Sequence, residues 1–276
     1  MTDSNEMKTL AGEPVRPLGL AGAPDSQSGF ASIAFGAGVN FFFFYGLNVD
    51  GMVDGVKRLL RHRRDEVFVA TGTESRDPSR MRDDLDAVRG TLDVDAIDLF
   101  FAEYVSPADD LDDVLGEGGA VDEIRKWKDE GRVRYVGATA HSRPLSLSLI
   151  ESGRIQVLMH RYNMAHRKSE EEVLPAAIDA GVPVVAFTCT RWGSLLEGHA
   201  GWPGQVPLAA DCYRFVLQHP AVALALTAPA TENQLRRNLT VLSEPHEPAP
   251  EEMSAWKAYG DLVYGEGGDA FETRWP

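Results

Sequence analysis

The chain has 276 residues, 43% of them hydrophobic and 25% charged, with a formal net charge of −15. That charge argues against a nucleic-acid partner, because phosphate contacts need clustered Lys and Arg. Cys189 and Cys212 are the only cysteines; two distant cysteines make neither a disulfide framework nor a zinc spacing, and a reducing cytoplasm is the expected setting. No apolar run approaches the ~20 residues that cross a bilayer. The polar residues 1–14 lack the basic-then-apolar order of a signal peptide and are read as a disordered lead-in. The expected partner is a small molecule, with no nucleic acid, no membrane and no metal; monomer and dimer both stay open.

From residue 15 onward, short apolar runs alternate with stretches of helical length and pattern. Residues 15–22 form the first run, followed by a helix over 24–37. The second run, 38–44, contains Asn40-Phe41-Phe42-Phe43-Phe44, ends at Tyr45 and precedes a helix over 52–62. The third run, 66–73, leads to Asp77-Pro78, a capping residue with Pro in the first turn, and a helix to about residue 92. The fourth run, 98–105, ends in Glu103-Tyr104. An acidic, Gly-rich insertion over 109–119 is read as a solvated loop; it lacks EF-hand spacing. A helix over 120–130 follows.

The fifth run, 135–140, precedes a helix over 144–151, and the sixth is 155–162. Ser169-Glu170-Glu171-Glu172 reads as a capping box opening a helix that ends near Gly181. The seventh run, 183–188, leads through a Gly- and Trp-containing loop over 191–205 to a helix over 208–219. The eighth, 223–229, precedes a second capping box at Thr231-Glu232-Asn233-Gln234. A Pro-rich linker and a final helix over 251–264 close the chain.

Eight strand–helix units predict an α/β protein, a (β/α)8 TIM barrel over 15–243, with residues 244–276 as linker, extra helix and tail. An open doubly wound sheet is the alternative, but the Gly-x-Gly-x-x-Gly fingerprint is absent. In such a barrel the chemistry sits at the C-terminal ends of the strands. That draws together Tyr45, Glu103, Tyr104, His141, His160, Thr188 and Trp192.

These strand ends resemble the aldo-keto reductase family. The resemblance is carried in order by Arg16-Pro17-Leu18-Gly19-Leu20, Gly38-Val39-Asn40-Phe41-Phe42, Val67-Phe68-Val69-Ala70-Thr71, Ile97-Asp98-Leu99, Val136-Gly137, Tyr162-Asn163, Val185-Ala186-Phe187-Thr188 and Asn238-Leu239. It implies a barrel enzyme that reduces carbonyls with NADP(H) or NAD(H), a Tyr donating the proton with Asp, Lys and His in support. Here Phe43 stands at the Asp position, Gly72 at the Lys position and Glu103 at the His position, while Tyr45 lies near the Tyr position in a shortened segment. By the same resemblance the cofactor would meet Thr139, His160, Phe187, Thr188, Arg191 and Asn238. Ala228, Pro229 and Gln234 replace the residues that grip a 2′-phosphate, and Arg236 and Arg237 lie out of register with them.

The residues themselves support two further readings. Glu103, Tyr45, His141 and His160 together would serve as acid–base groups of a non-redox lyase, isomerase or cyclase in a repurposed cofactor pocket. A non-catalytic binding barrel is the third reading. Phe43, Tyr104, Arg161 and Trp192 are expected to wall the substrate pocket. Glu103 has an alternative as a structural ion pair with Arg161 or Arg134, each histidine as a packing residue, and Cys189 is read as small and buried.

Overall fold

The computed structural model describes residues 6–243 and 247–265. Eight parallel strands close into a barrel in chain order, β1 pairing with both β2 and β8. They are β1 (Leu18–Ala21), β2 (Phe41–Phe43), β3 (Phe68–Thr73), β4 (Ile97–Val105), β5 (Val133–Ala140), β6 (Val157–Arg161), β7 (Val184–Phe187) and β8 (Val222–Thr227). Around them lie α1 (Gly29–Gly36), α2 (Asp50–Arg63), α3 (Pro78–Leu92), α4 (Leu111–Leu115), α5 (Ala120–Asp129), α6 (Arg143–Glu151), α7 (Val173–Asp179), α8 (Ala209–Leu217), α9 (Glu232–Asn238), α10 (Thr240–Ser243) and α11 (Pro250–Tyr264). The expected (β/α)8 barrel with an extra C-terminal helix is the fold observed.

Period-two alternation divides the apolar residues between two cores. Phe41, Phe43, Phe68, Leu99, Phe101, Met159, Val185 and Leu224 fill the barrel interior. The residues between them, such as Phe42, Phe100 and Leu158, face the helices. Each buried Phe contributes about 1.5–3 kcal/mol of transfer free energy, and Phe41 stacks on Phe68 at 5.1 Å. Gly137 faces inward because the Phe101 ring occupies its side-chain space: a Cβ there would lie 2.6 Å from Phe101 Cε1.

Three local expectations change. Residues 6–14 are not a disordered lead-in: Met7 is buried in the barrel's interior core, and Lys8 bridges to Pro14. The apolar Met7 side chain joins Phe41 and Phe68, from the starts of β2 and β3, in that interior core. Met7→Ala is expected to cost about 2 kcal/mol in urea unfolding, with the denaturant slope unchanged. Residues 1–5 lie outside the described residues. Second, Ser169 does not cap a helix. Its hydroxyl bonds His160 Nε2 at 2.7 Å in the core, and α7 begins only at Val173. Third, the acidic insertion is not simply solvated. Asp110 caps α4 through the Asp112 amide, and Asp109 pairs with Arg76 at 2.8 Å. By contrast the Asp77 cap of α3 and the Thr231/Gln234 box of α9 form as expected.

Candidate active site

β4 carries the decisive irregularity. Its ladder with β5 shifts register between Ala102 and Val105, so Glu103 and Tyr104 form a bulge at the mouth of the barrel. Tyr104 adopts a left-handed φ of 51°, and bulges of this kind re-aim side chains at functional sites. The Tyr104 amide donates to Thr139 Oγ1 at 2.6 Å, and Arg76 donates to the Glu103 carbonyl at 2.9 Å. Thr139, expected at the cofactor, is thereby committed to holding the bulge.

The alternation that puts Leu99 and Phe101 inside also points the Glu103 carboxyl into the barrel, 2% exposed, with Oε1 lacking any hydrogen-bond partner among the described residues. Its space comes from Gly72. A Cβ on Gly72 would meet the Phe101 carbonyl, Glu103 Cγ at 2.6 Å and Glu103 Oε1 at 2.8 Å. The two positions are thus coupled: the absence of a side chain at residue 72 makes room for the carboxyl of residue 103. Burial, then the charge of Glu74, push the Glu103 pKa well above the usual carboxylate range, and Arg76 only partly opposes them. The ion-pair alternative fails for Arg134, which pairs with Asp98 at 2.5 Å.

Tyr45 stands at the same mouth, its ring edge-on to Phe43 at 4.7 Å. Its phenol pKa is raised, first by withdrawal from water and then by Glu103 and Glu74. At 50% exposure the side chain keeps water nearby, which moderates the first cause. Neither direction helps it give up a proton.

His141 packs edge-on against Phe187 at 4.8 Å and Tyr104 at 5.8 Å, and lies flat against Trp192 at 6.1 Å. Burial, then Arg161, lower its pKa to about 4, so the imidazole is neutral at neutral pH. His160 behaves differently. Neighbours Met159 and Arg161 take the inward parity, so His160 points into the helix layer. It is fully buried, Nδ1 within 2.9 Å of both Ser146 Oγ and the Ala140 carbonyl, Nε2 bonded to Ser169. The structure does not bring it to the site, and neither catalysis nor cofactor contact is open to it.

A cavity of about 470 Å³ opens between the ends of β7, β8 and β1. Tyr45, Phe187, Thr188, Trp192 and Asn238 line it, and no charged side chain does so among the described residues. Thr188 Oγ1 is buried without a partner. Thr188, Arg191 and Trp192 all hold left-handed φ values, the strained turn that carries the Trp192 ring, 56% exposed, over the rim. Arg191, expected at an anion, turns instead toward α11 and donates to the Val263 carbonyl. Asn238 lines the cavity while donating to Thr227 Oγ1 at 2.9 Å. Arg236 and Arg237 are occupied along α9 by Glu232 and Asn233. Cys189 is buried and inert, its thiol pushed up to about 12. Among the described residues no group of His, Cys, Asp and Glu is arranged for a metal ion, and no helix is long and apolar enough to cross a membrane.

The aldo/keto reductase family model matches residues 32–201. The chain belongs to this family. Among curated relatives it is 26% identical over 191 residues to a probable aldo-keto reductase of Glycine max, covering 62% of this chain and 53% of that one. It is 23% identical over 118 residues to the NADH-specific methylglyoxal reductase of Escherichia coli, covering 43% and 35%. The chain thus matches about half the length, or less, of these relatives. Solved aldo-keto reductases share the fold across nearly the whole chain. The holo form from Bacillus halodurans superposes with a TM-score of 0.76 at 19% identity, covering 92% of this chain and 95% of that one. A Klebsiella pneumoniae aldo/keto reductase in complex with NADP and acetate gives 0.73 at 18%, covering 94% and 96%. Within the family barrel, the bulge at Glu103 and the vacancy at Gly72 are the features that sequence reading did not join. The pairing of a glycine at residue 72 with a carboxylate at residue 103 was the available signal.

Proposed function

We propose that this protein is an NAD(H)-dependent oxidoreductase acting on a small carbonyl compound, with Glu103 in place of the family Tyr as proton donor. The observation that carries the reading is the Glu103 carboxyl, buried at the barrel mouth, with Oε1 unpartnered among the described residues and its pKa pushed well above the usual carboxylate range. A neutral carboxylic acid beside a carbonyl is the group that reduction requires. A nicotinamide dinucleotide suits the adjoining cavity in part. Phe187 and Trp192 offer aromatic faces to a planar ring, and the orphaned Thr188 hydroxyl and Asn238 offer polar contacts. The wall carries no cation for a 2′-phosphate, and the Gln234 side chain is spent on the Ala230 and Thr231 amides. NAD(H) is therefore favoured over NADP(H). The relative from Escherichia coli, named as NADH-specific, agrees with that preference.

When bound, the cofactor supplies the hydride to the carbonyl carbon. Glu103 delivers the proton to the carbonyl oxygen as negative charge develops there, and the resulting carboxylate regains a proton from water. Tyr45, backed by the fully buried Phe43, walls the substrate side, and Trp192 covers the rim against water. His141, neutral, orients the substrate without giving up a charge. Tyr45→Phe is expected to change kcat less than threefold, because the phenol is a wall; a loss near the ~10²-fold or more of an acid–base group would return the proton to Tyr45.

The test is a pair of fluorescence titrations, NADH against NADPH, at low salt. NADH is expected to bind at submillimolar concentration and NADPH at least tenfold more weakly. Absence of NADH binding at millimolar concentration would remove the redox reading. The lyase, isomerase or cyclase reading then takes over, favoured by Phe43 and Gly72 where the family has Asp and Lys. Residues 15–243 as the catalytic barrel and the C-terminal segment as its support remain part of this proposal, as does a cytoplasmic setting.

A further inference from the structure

A second cavity, about 370 Å³, lies beside the first, between the ends of β5 and β6 and helix α11. Its wall carries Arg143, Arg161, Arg167 and Lys168 with His141 and His166. Three carboxylates, Glu170, Glu171 and Asp261, share the wall, and Glu172 beside it pairs with Arg143 at 2.7 Å. Two of the three are engaged locally. Asp261 pairs with Arg167, and Glu170 accepts the Tyr162 hydroxyl at 2.8 Å and lies 3.8 Å from Lys257. Arg161 comes from an inward position at the end of β6 and is 5% exposed. Four Arg and Lys side chains thus meet on one concave wall in a chain of net charge −15.

We propose that this second cavity is an oxyanion site that takes the carboxylate or phosphate end of the substrate, with Arg161 at its floor and Arg143 at its rim. Guanidinium groups recognise both anions through paired N–H donors. The site adjoins the chemistry through His141. That ring lines the second cavity, while Phe187 and Trp192, packed on its faces, line the first. A molecule anchored at Arg161 therefore reaches the first cavity past His141. The local field points the same way: Arg161 contributes, after burial, to lowering His141 to about 4 and His166 to about 3. A field that disfavours protonated imidazole favours a bound anion. Calling the anion the end of the substrate rests on the reductase reading; the anion site itself does not.

The test is isothermal titration calorimetry on the full chain at low ionic strength, without cofactor. The probes are pyruvate, inorganic phosphate and, as an uncharged counterpart, acetone. One or both anions are expected to bind with a stoichiometry of one, while acetone does not. Arg161→Met and Arg143→Gln are each expected to weaken binding at least tenfold. Arg143 is half-buried at the rim, so its variant keeps the test open if Arg161→Met fails to fold. Pyruvate alone assigns a carboxylate, phosphate alone a phosphate ester. Saturable binding of neither anion, or equal affinity in wild type and a folded Arg143→Gln, overturns the site. The same preparations titrated with NADH separate the two readings. Anion binding without NADH binding keeps this site and removes the reductase assignment, and the reverse removes only the site.

Discussion

Glu103→Gln is expected to lower kcat by about 10²–10⁴-fold, the usual contribution of a general acid, while KM changes little. The amide keeps the shape of the side chain and the bulge that carries it, so the loss reports the proton and not the fold. The pH dependence of stability distinguishes the same group. The folded-state pKa of Glu103 is raised, so the folded protein binds this proton more tightly than the unfolded chain does. The stabilisation that this proton provides is fully present below the unfolded value near 4.5 and is lost as pH rises toward the folded pKa. Urea unfolding of wild type and Glu103→Gln should therefore converge at the acid end and separate as pH rises above that value, the variant becoming the relatively more stable. Parallel curves across the range would show that Glu103 titrates normally and would withdraw it as the acid.

Gly72→Lys, which introduces the residue that the family resemblance implies at this position, is expected to inactivate the protein and destabilise it by about 1–3 kcal/mol, the range for overpacking a filled core. The added Cβ meets the Phe101 carbonyl as well as the Glu103 side chain, and the backbone atom cannot swing away. Gly72→Ala isolates the first carbon of that change. Its cost in Glu103→Ala should be smaller than in wild type, because the carboxyl no longer competes for the space, but it should not vanish while the Phe101 carbonyl stays. Equal costs in both backgrounds, measured as a double-mutant cycle, would mean that residues 72 and 103 are independent.

The fold was legible because its signals are periodic and local. Eight apolar runs with alternating faces, the Asp77 cap and the Thr231/Gln234 box each report their own neighbourhood, and each formed where the residues placed it. The misreadings arise where a side chain serves a distant partner. Ser169 carries the spacing of a helix cap, yet its hydroxyl goes to His160. Met7 lies in a polar stretch, yet it joins the barrel's interior core. Arg191 sits in a loop that suits an anion, yet it is drawn to the Val263 carbonyl across the fold. His160 was open to better reading. Strand parity puts Met159 and Arg161 inside and His160 outside, and that alternation alone removes it from the site. Glu103 was legible as a carboxyl at a strand end, and the parity of Leu99 and Phe101 puts it inside, but the bulge that follows depends on a backbone left-handed at Tyr104 and a Thr139 hydroxyl on the next strand. Neither is written in the local pattern of β4.

Difference infrared spectroscopy of wild type against Glu103→Gln at neutral pH reads the protonation of this one carboxyl. The expected result is a protonated-carboxyl C=O stretch in the wild type that is missing from the variant. An ionised carboxylate signal in its place would contradict the assignment of Glu103 as the proton donor.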